Sequence, residues 1–156
     1  IAARLQNELE IHFMIIGNGG KKADLIKSVE TRGLTNCTFL DWLPADKIVY
    51  SLSAANLSVV TLTDDTAFVS VPSKTYNILS VGSPILCVAP EKSEVGQLVK
   101  EEQCGKCYDK SHIKEMVNFI LQLKSDKEYY AEMVQNSLNA SMHYTFANAS
   151  EYVCYK

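Results

Sequence analysis

The sequence predicts an α/β fold, a Rossmann-like doubly wound parallel sheet, and three observations carry that expectation. Five short runs at 11–16, 37–42, 57–62, 84–89 and 106–108 are rich in Val, Ile, Leu, Phe or Tyr. Several are nearly continuous in apolar residues, as strands covered on both faces must be. Between them, residues 21–32, 45–55, 73–81 and 94–100 have helical composition, with Gly33 and Gly82 placed to end two of the helices. Two longer helices are expected at 112–124 and 126–143. Strand–helix alternation of this kind implies right-handed crossovers between parallel strands.

A further helical segment, 1–9, precedes the first visible strand. An open α/β domain normally begins with a strand, so its first strand is expected upstream of Ile1. With no initiator Met, the 156 residues are expected to form a single domain cut from a longer chain.

Composition narrows the function classes. Hydrophobic residues are 47% of the chain and charged ones 21%, enough for a core and against disorder. Fifteen Lys and Arg face 18 Asp and Glu, a net charge of -3. Broad nucleic-acid binding is therefore not expected, since no excess of positive charge exists to neutralise phosphates. No apolar run approaches the ~20 residues of a membrane-spanning helix. Five cysteines, Cys37, Cys87, Cys104, Cys107 and Cys154, are too sparse for a disulfide scaffold and suit a reducing, cytoplasmic setting. Glycosylation sequons begin at Asn36, Asn56, Asn139 and Asn148. The first two lead straight into strands and read as turn residues.

Ligands of open α/β sheets bind at the carboxyl ends of the strands, which directs attention to two stretches. Gly17-Asn18-Gly19-Gly20 follows the first visible strand and precedes a helix. Such a turn lets a ligand, a phosphate for example, approach a helix N-terminus, or serves only as a tight turn. Lys22 stands where a dinucleotide fingerprint would have its third glycine, and the dinucleotide reading is weak. The second stretch runs from Ser70 through Val71, Pro72, Ser73 and Lys74 to Asn77, Gly82 and Pro84. Pro72 and Ser73 open a helix whose first amides lack intrahelical partners. Lys74 puts a cation in the first turn, where the helix dipole disfavours it. An anionic ligand there would reverse the sign of that interaction. Asn77 is one turn further on. A capped helix with a solvated lysine is an equal reading of the same residues.

The 72–84 block, P-S-K-x-x-N-x-L-x-x-G-x-P, resembles the carboxyl-terminal donor-binding domain of GT-B-fold, family 4 (group 1) glycosyltransferases. It is most similar to the branch found in bacterial surface-polysaccharide enzymes. The resemblance extends over nearly the whole chain: 13–19 with the family's strand and G-x-G turn, 39–44 with its "flG-x-v-p" segment, and 47–60 with the next helix and strand. Residues 104–108 and 126–146 resemble the late glycine-strand and the final helix. The resemblance implies a nucleotide-diphosphate sugar, a UDP-sugar, as donor. Amides around Ser73 and Lys74, with the lysine ammonium, would hold the diphosphate. Gly17, Asn18 and Val71 would line the site, the turn at Leu43 would receive the base with Lys47 beside it, and Asn77 would bond a ribose hydroxyl.

It also implies that no metal or other cofactor takes part, and that the acceptor-binding domain is an absent amino-terminal partner of the same chain. The family's basic pair lies in that missing segment too. Catalytic residues would then fall outside these 156 residues, and the fragment alone would bind donor without turnover. Peripheral association of the whole enzyme with the inner face of a membrane is a further implication. Many family members carry two glutamates separated by seven residues; here those positions hold Val69 and Asn77, which leaves the sugar contact without its usual carboxylate. Asp64 or Asp65 would be the substitutes nearest in sequence.

Other constellations are discounted. Cys104-Gly105-Lys106-Cys107 runs into a strand, whereas a redox C-x-x-C opens a helix. His12, His112 and His143 show no paired ligand spacing. Trp42, closing a strand, is expected in the core or at its rim. The competing class is a non-catalytic nucleotide-binding or receiver-like signalling module. Against it, Gly-Asn-Gly-Gly stands where a receiver needs an acidic pair, and Thr63 follows the 57–62 strand before any acid.

Overall fold

The structure is a computed structural model that describes residues 1–63, 65–69 and 71–145. Asp64, Ser70, Phe146, Asn148 and Cys154 therefore lie outside the described residues. Among the latter, strands and helices alternate: β1 (Phe13–Ile16), α1 (Lys22–Thr31), β2 (Cys37–Leu40), α2 (Ala45–Ser53), β3 (Ser58–Thr61) and α3 (Ser73–Ser80). They continue through β4 (Ile85–Val88), α4 (Glu94–Glu101), β5 (Gly105–Tyr108), α5 (Ile113–Ser125) and α6 (Lys127–His143). Every strand pairing is parallel, and the chain has the expected Rossmann-like α/β character. The strands form two ladders, β1-β2 and β3-β4-β5. Two compact units follow from the contacts, Ile1–Ile48 and the chain from Val49 onward.

In the first unit, Phe13 stands opposite Cys37 and Ile16 opposite Leu40. The expected helix at 1–9 is not formed. Only Ala2–Arg4 makes a single 3-10 turn, without a side-chain cap at Ile1. A helix that short is marginal without a packed face, and its two leucines disagree: Leu5 is buried while Leu9 is 97% exposed. Asn36, a sequon residue, is buried and donates its side-chain amide to the Ala2 carbonyl at 3.0 Å.

The second unit holds the larger core. Val60, Ile78, Leu79, Ile85, Cys87 and Val95 are among its buried members. β4 is the central strand, and its burial on both faces explains the unbroken apolar run Ile85–Val88. α4 begins at the buried Ser93, whose hydroxyl accepts from the Gly96 amide at 3.2 Å.

α6 closes over the turn between α3 and β4. Gly82 ends α3 with φ +70°, a left-handed backbone that suits glycine. A Cβ there would lie 3.0 Å from Leu138 Cγ and 3.3 Å from Val134 Cγ1 of α6. The buried Ser137 donates to the Ser83 carbonyl at 3.2 Å, and the hydroxyls of Ser83 and Ser58 meet at 2.9 Å. Glycine is needed twice over, for backbone and for space. Gly82→Ala is expected to destabilise the second unit by about 1–3 kcal/mol, from overpacking and the left-handed strain together. Urea unfolding of variant and parent chains measures this; an unchanged midpoint would remove the α6 contact as a constraint on α3.

Candidate functional site

Of the eight residues expected to contact a ligand, Gly17, Asn18, Leu43 and Lys47 belong to the first unit. Val71, Ser73, Lys74 and Asn77 belong to the second. In each unit they follow the carboxyl ends of the parallel strands, where α/β sheets present ligand sites.

In the first unit, Gly17 leaves β1 with φ +132° and donates its amide to the Leu40 carbonyl at 3.1 Å. Trp42 lies beside it, 3.8 Å from where a Gly17 Cβ would be. That tryptophan follows β2 rather than ending it and is 72% exposed, so it stands at the rim. Leu43 is half-buried in the same loop. Lys47 lies in the first turn of α2, its ammonium 3.7 Å from the Asp46 carboxylate.

The residue that organises this edge is Lys22. Its ammonium donates to Asn18 Oδ1 at 2.9 Å, to the Leu40 carbonyl at 3.0 Å and to Asp41 Oδ1 at 2.7 Å. The side chain that displaces the third glycine of a dinucleotide fingerprint thus ties the turn after β1 to the end of β2. It also occupies the Asn18 side-chain oxygen. Sequence reading missed this role because Asp41 is 19 positions away, and only the parallel β1-β2 register brings it near.

In the second unit the β3–α3 connection turns at Thr63, whose carbonyl accepts the amides of Thr66 and Ala67 at 3.0 Å each. Ala67 is buried, whereas Phe68 and Val69 are 59% and 77% exposed. Val71 packs against the core as Pro72 begins α3. Pro72 has φ -59° and ψ 133°, and no side chain caps the helix. The Thr75 amide turns back to the Pro72 carbonyl at 2.8 Å. The amides of Ser73 and Lys74 have no hydrogen-bond partner among the described residues. Ser73, Lys74 and Asn77 are exposed. An uncapped first turn carries the positive end of the helix dipole, and Lys74 adds a full charge to it. This is an anion-binding arrangement. Thr75, in the same turn, is fully buried and its hydroxyl has no partner among the described residues, a feature that only packing reveals.

Among the described residues, no three His, Cys, Asp or Glu side chains converge to hold a metal ion, and no helix is long and apolar enough to cross a membrane.

Parallel α/β units with their loops gathered at the strand ends fit what the comparisons find. Residues 1–140 match the family described as Glycosyl transferases group 1, and the chain belongs to that family. Over 97 residues it is 37% identical to "Putative colanic acid biosynthesis glycosyl transferase WcaI" of Escherichia coli (strain K12). That alignment covers 62% of this chain and 24% of the relative, so the chain spans only a part of such a protein.

Lys22→Met is expected to loosen the first unit by about 1–3 kcal/mol, the scale of a hydrogen bond to a charged group, and to speed amide exchange at Gly17–Gly20. Hydrogen exchange with the protection of these amides unaltered would show that the lysine does not hold the turn.

Proposed function

We propose that this chain is the donor-binding part of a glycosyltransferase, and that it binds a nucleotide-diphosphate sugar, a UDP-sugar, with its diphosphate on the first turn of α3. The carrying observation is the pair of amides at Ser73 and Lys74 with no partner among the described residues, beside the exposed Lys74 ammonium, at the carboxyl edge of a parallel sheet. A diphosphate would accept from both amides and pair with the ammonium. Each such charge-assisted bond is about twice as strong as a neutral one.

Membership of the group 1 family supports glycosyl transfer as the reaction. In it, the same amides and ammonium stabilise the charge that accumulates on the departing nucleoside diphosphate. No proton transfer or metal is required of these residues for that task. The exposed Asn77 side chain serves as the ribose contact, and its amide group can both donate and accept.

Val69 bears no polar group and cannot replace a carboxylate on the donor sugar, so sugar selection falls to other residues. The acceptor site, and any catalytic base, are assigned to another part of the longer protein. The relative named for colanic acid biosynthesis supports an acceptor among bacterial surface polysaccharides or their lipid-linked precursors.

Titrating the chain with UDP is expected to shift the amide resonances of Ser73 and Lys74 first. Unmoved resonances there would overturn the phosphate assignment. Lys74→Ala is expected to weaken UDP binding by about 1–3 kcal/mol, the scale of a charged hydrogen bond. Calorimetry giving equal affinities would remove Lys74 from the site. The same titration in a chelator is expected to give an unchanged affinity; a loss would mean that a metal bridges the diphosphate.

A further inference from the structure

The C-x-x-C spacing of Cys104 and Cys107 is misleading, because residues three apart along a strand point to opposite faces. Cys104 continues the β5 ladder, its carbonyl accepting the Ile85 amide at 2.9 Å, and its side chain is buried in the core. Burial pushes its thiol up to about 12, and it faces away from Cys107. Cys107 has a different neighbour. In the parallel β4-β5 register it stands directly opposite Cys87. The two side chains therefore share one face of the sheet.

We propose that Cys87 and Cys107 form a thiol pair that peroxide oxidises to a disulfide joining β4 to β5. Adjacent strands run ~4.8 Å apart, inside the ~4.4–6.8 Å Cα separation that disulfides span. Access is also built in. Cys107 is partly exposed and lines a cavity of about 560 Å³ between α4, β5 and α6, whereas Cys87 is fully buried behind it. α4 closes over the pair: a Cβ at Gly96 would lie 3.1 Å from Cys107 Sγ.

The two thiols are also unequal. The neighbouring Cys87 thiol holds Cys107 below its ordinary range, and the same neighbour, with burial, raises Cys87. Cys107 is thus the attacking sulfur and Cys87 the resolving one.

The chemistry balances with hydrogen peroxide as oxidant. The Cys107 thiolate attacks one peroxide oxygen, the O–O bond breaks, and hydroxide leaves to become water, giving a sulfenic acid. Cys87 then loses its proton and attacks the Cys107 sulfur. The S–O bond breaks and a second water departs. Two sulfurs lose two electrons, and the peroxide oxygens gain them. Cys107 meanwhile gives up its bond to the Ala89 carbonyl, 3.5 Å away at the end of β4.

Tryptic mapping without reductant tests this on the intact chain after brief peroxide treatment. Cleavage after Lys74, Lys92, Lys100, Lys106 and Lys110 places Cys87 in 75–92, Cys104 in 101–106 and Cys107 in 107–110. The expected product is 75–92 joined to 107–110, two hydrogens lighter than their sum and released by dithiothreitol. Cys104→Ser is expected to leave that product intact. Cys87→Ser is expected to strand Cys107 as a sulfenic acid that dimedone captures. A folded, peroxide-treated parent chain with 75–92 and 107–110 unjoined would overturn the proposal, as would Cys107 joined to Cys104 or to a second chain. The parent-chain result decides the matter even where a variant fails to fold.

Discussion

The second unit depends on the way α6 crosses the turn between α3 and β4. α3 is only eight residues long, too short to be stable by itself. Its position is imposed from outside. Leu138 and Val134 fill the space left by Gly82, Ser137 holds the Ser83 carbonyl, and Ser83 reaches Ser58 at the start of β3. Beyond α6, the Tyr144 ring meets Tyr76 of α3 at 5.1 Å. One end of α3 is thereby fixed against a helix far along the chain, while its other end opens at the strand edge. A helix N-terminus can bind an anion with directional amides only if it does not move when the anion arrives. The packing supplies that rigidity.

Charge is organised at the same level. The net charge of -3 describes no local field. Lys22 and Lys74 each lie in the first turn of a helix, the position that the dipole makes least comfortable for a cation. Their fates differ. Lys22 is drawn back into three hydrogen bonds that join two loops, and its charge is spent on structure. Lys74 remains exposed beside amides that have no partner among the described residues. Two lysines in the same kind of place thus do different work. The difference lies in whether Asp41 and a strand-end carbonyl are within reach.

Much of the architecture was legible beforehand. Each expected strand from 11–16 to 106–108 and each helix from 21–32 to 126–143 has its counterpart, with ends shifted by one or two residues. Long apolar runs and helical periodicity are local signals, and a buried parallel strand has few ways to look different. The failure was a case where a local pattern lacked tertiary support. The 1–9 segment had helical composition but buries only Leu5 of its two leucines, so no helical face formed. The C-x-x-C, discounted from sequence, is no unit in the fold either, since the pleat turns Cys104 and Cys107 to opposite faces.

By itself, the sequence determined the fold class, the strand and helix alternation, and the P-S-K helix start that exposes Ser73 and Lys74. Each of these follows from local sterics, burial periodicity and the missing hydrogen-bond partners of a first helical turn. Only the tertiary structure decided which polar groups meet. Lys22 with Asp41, Ser137 with Ser83 and Cys87 with Cys107 are 19, 54 and 20 positions apart. Parallel register and helix packing bring them together. Crossovers separate partners in sequence, and nothing in a single chain's pattern encodes which distant residue completes a pair.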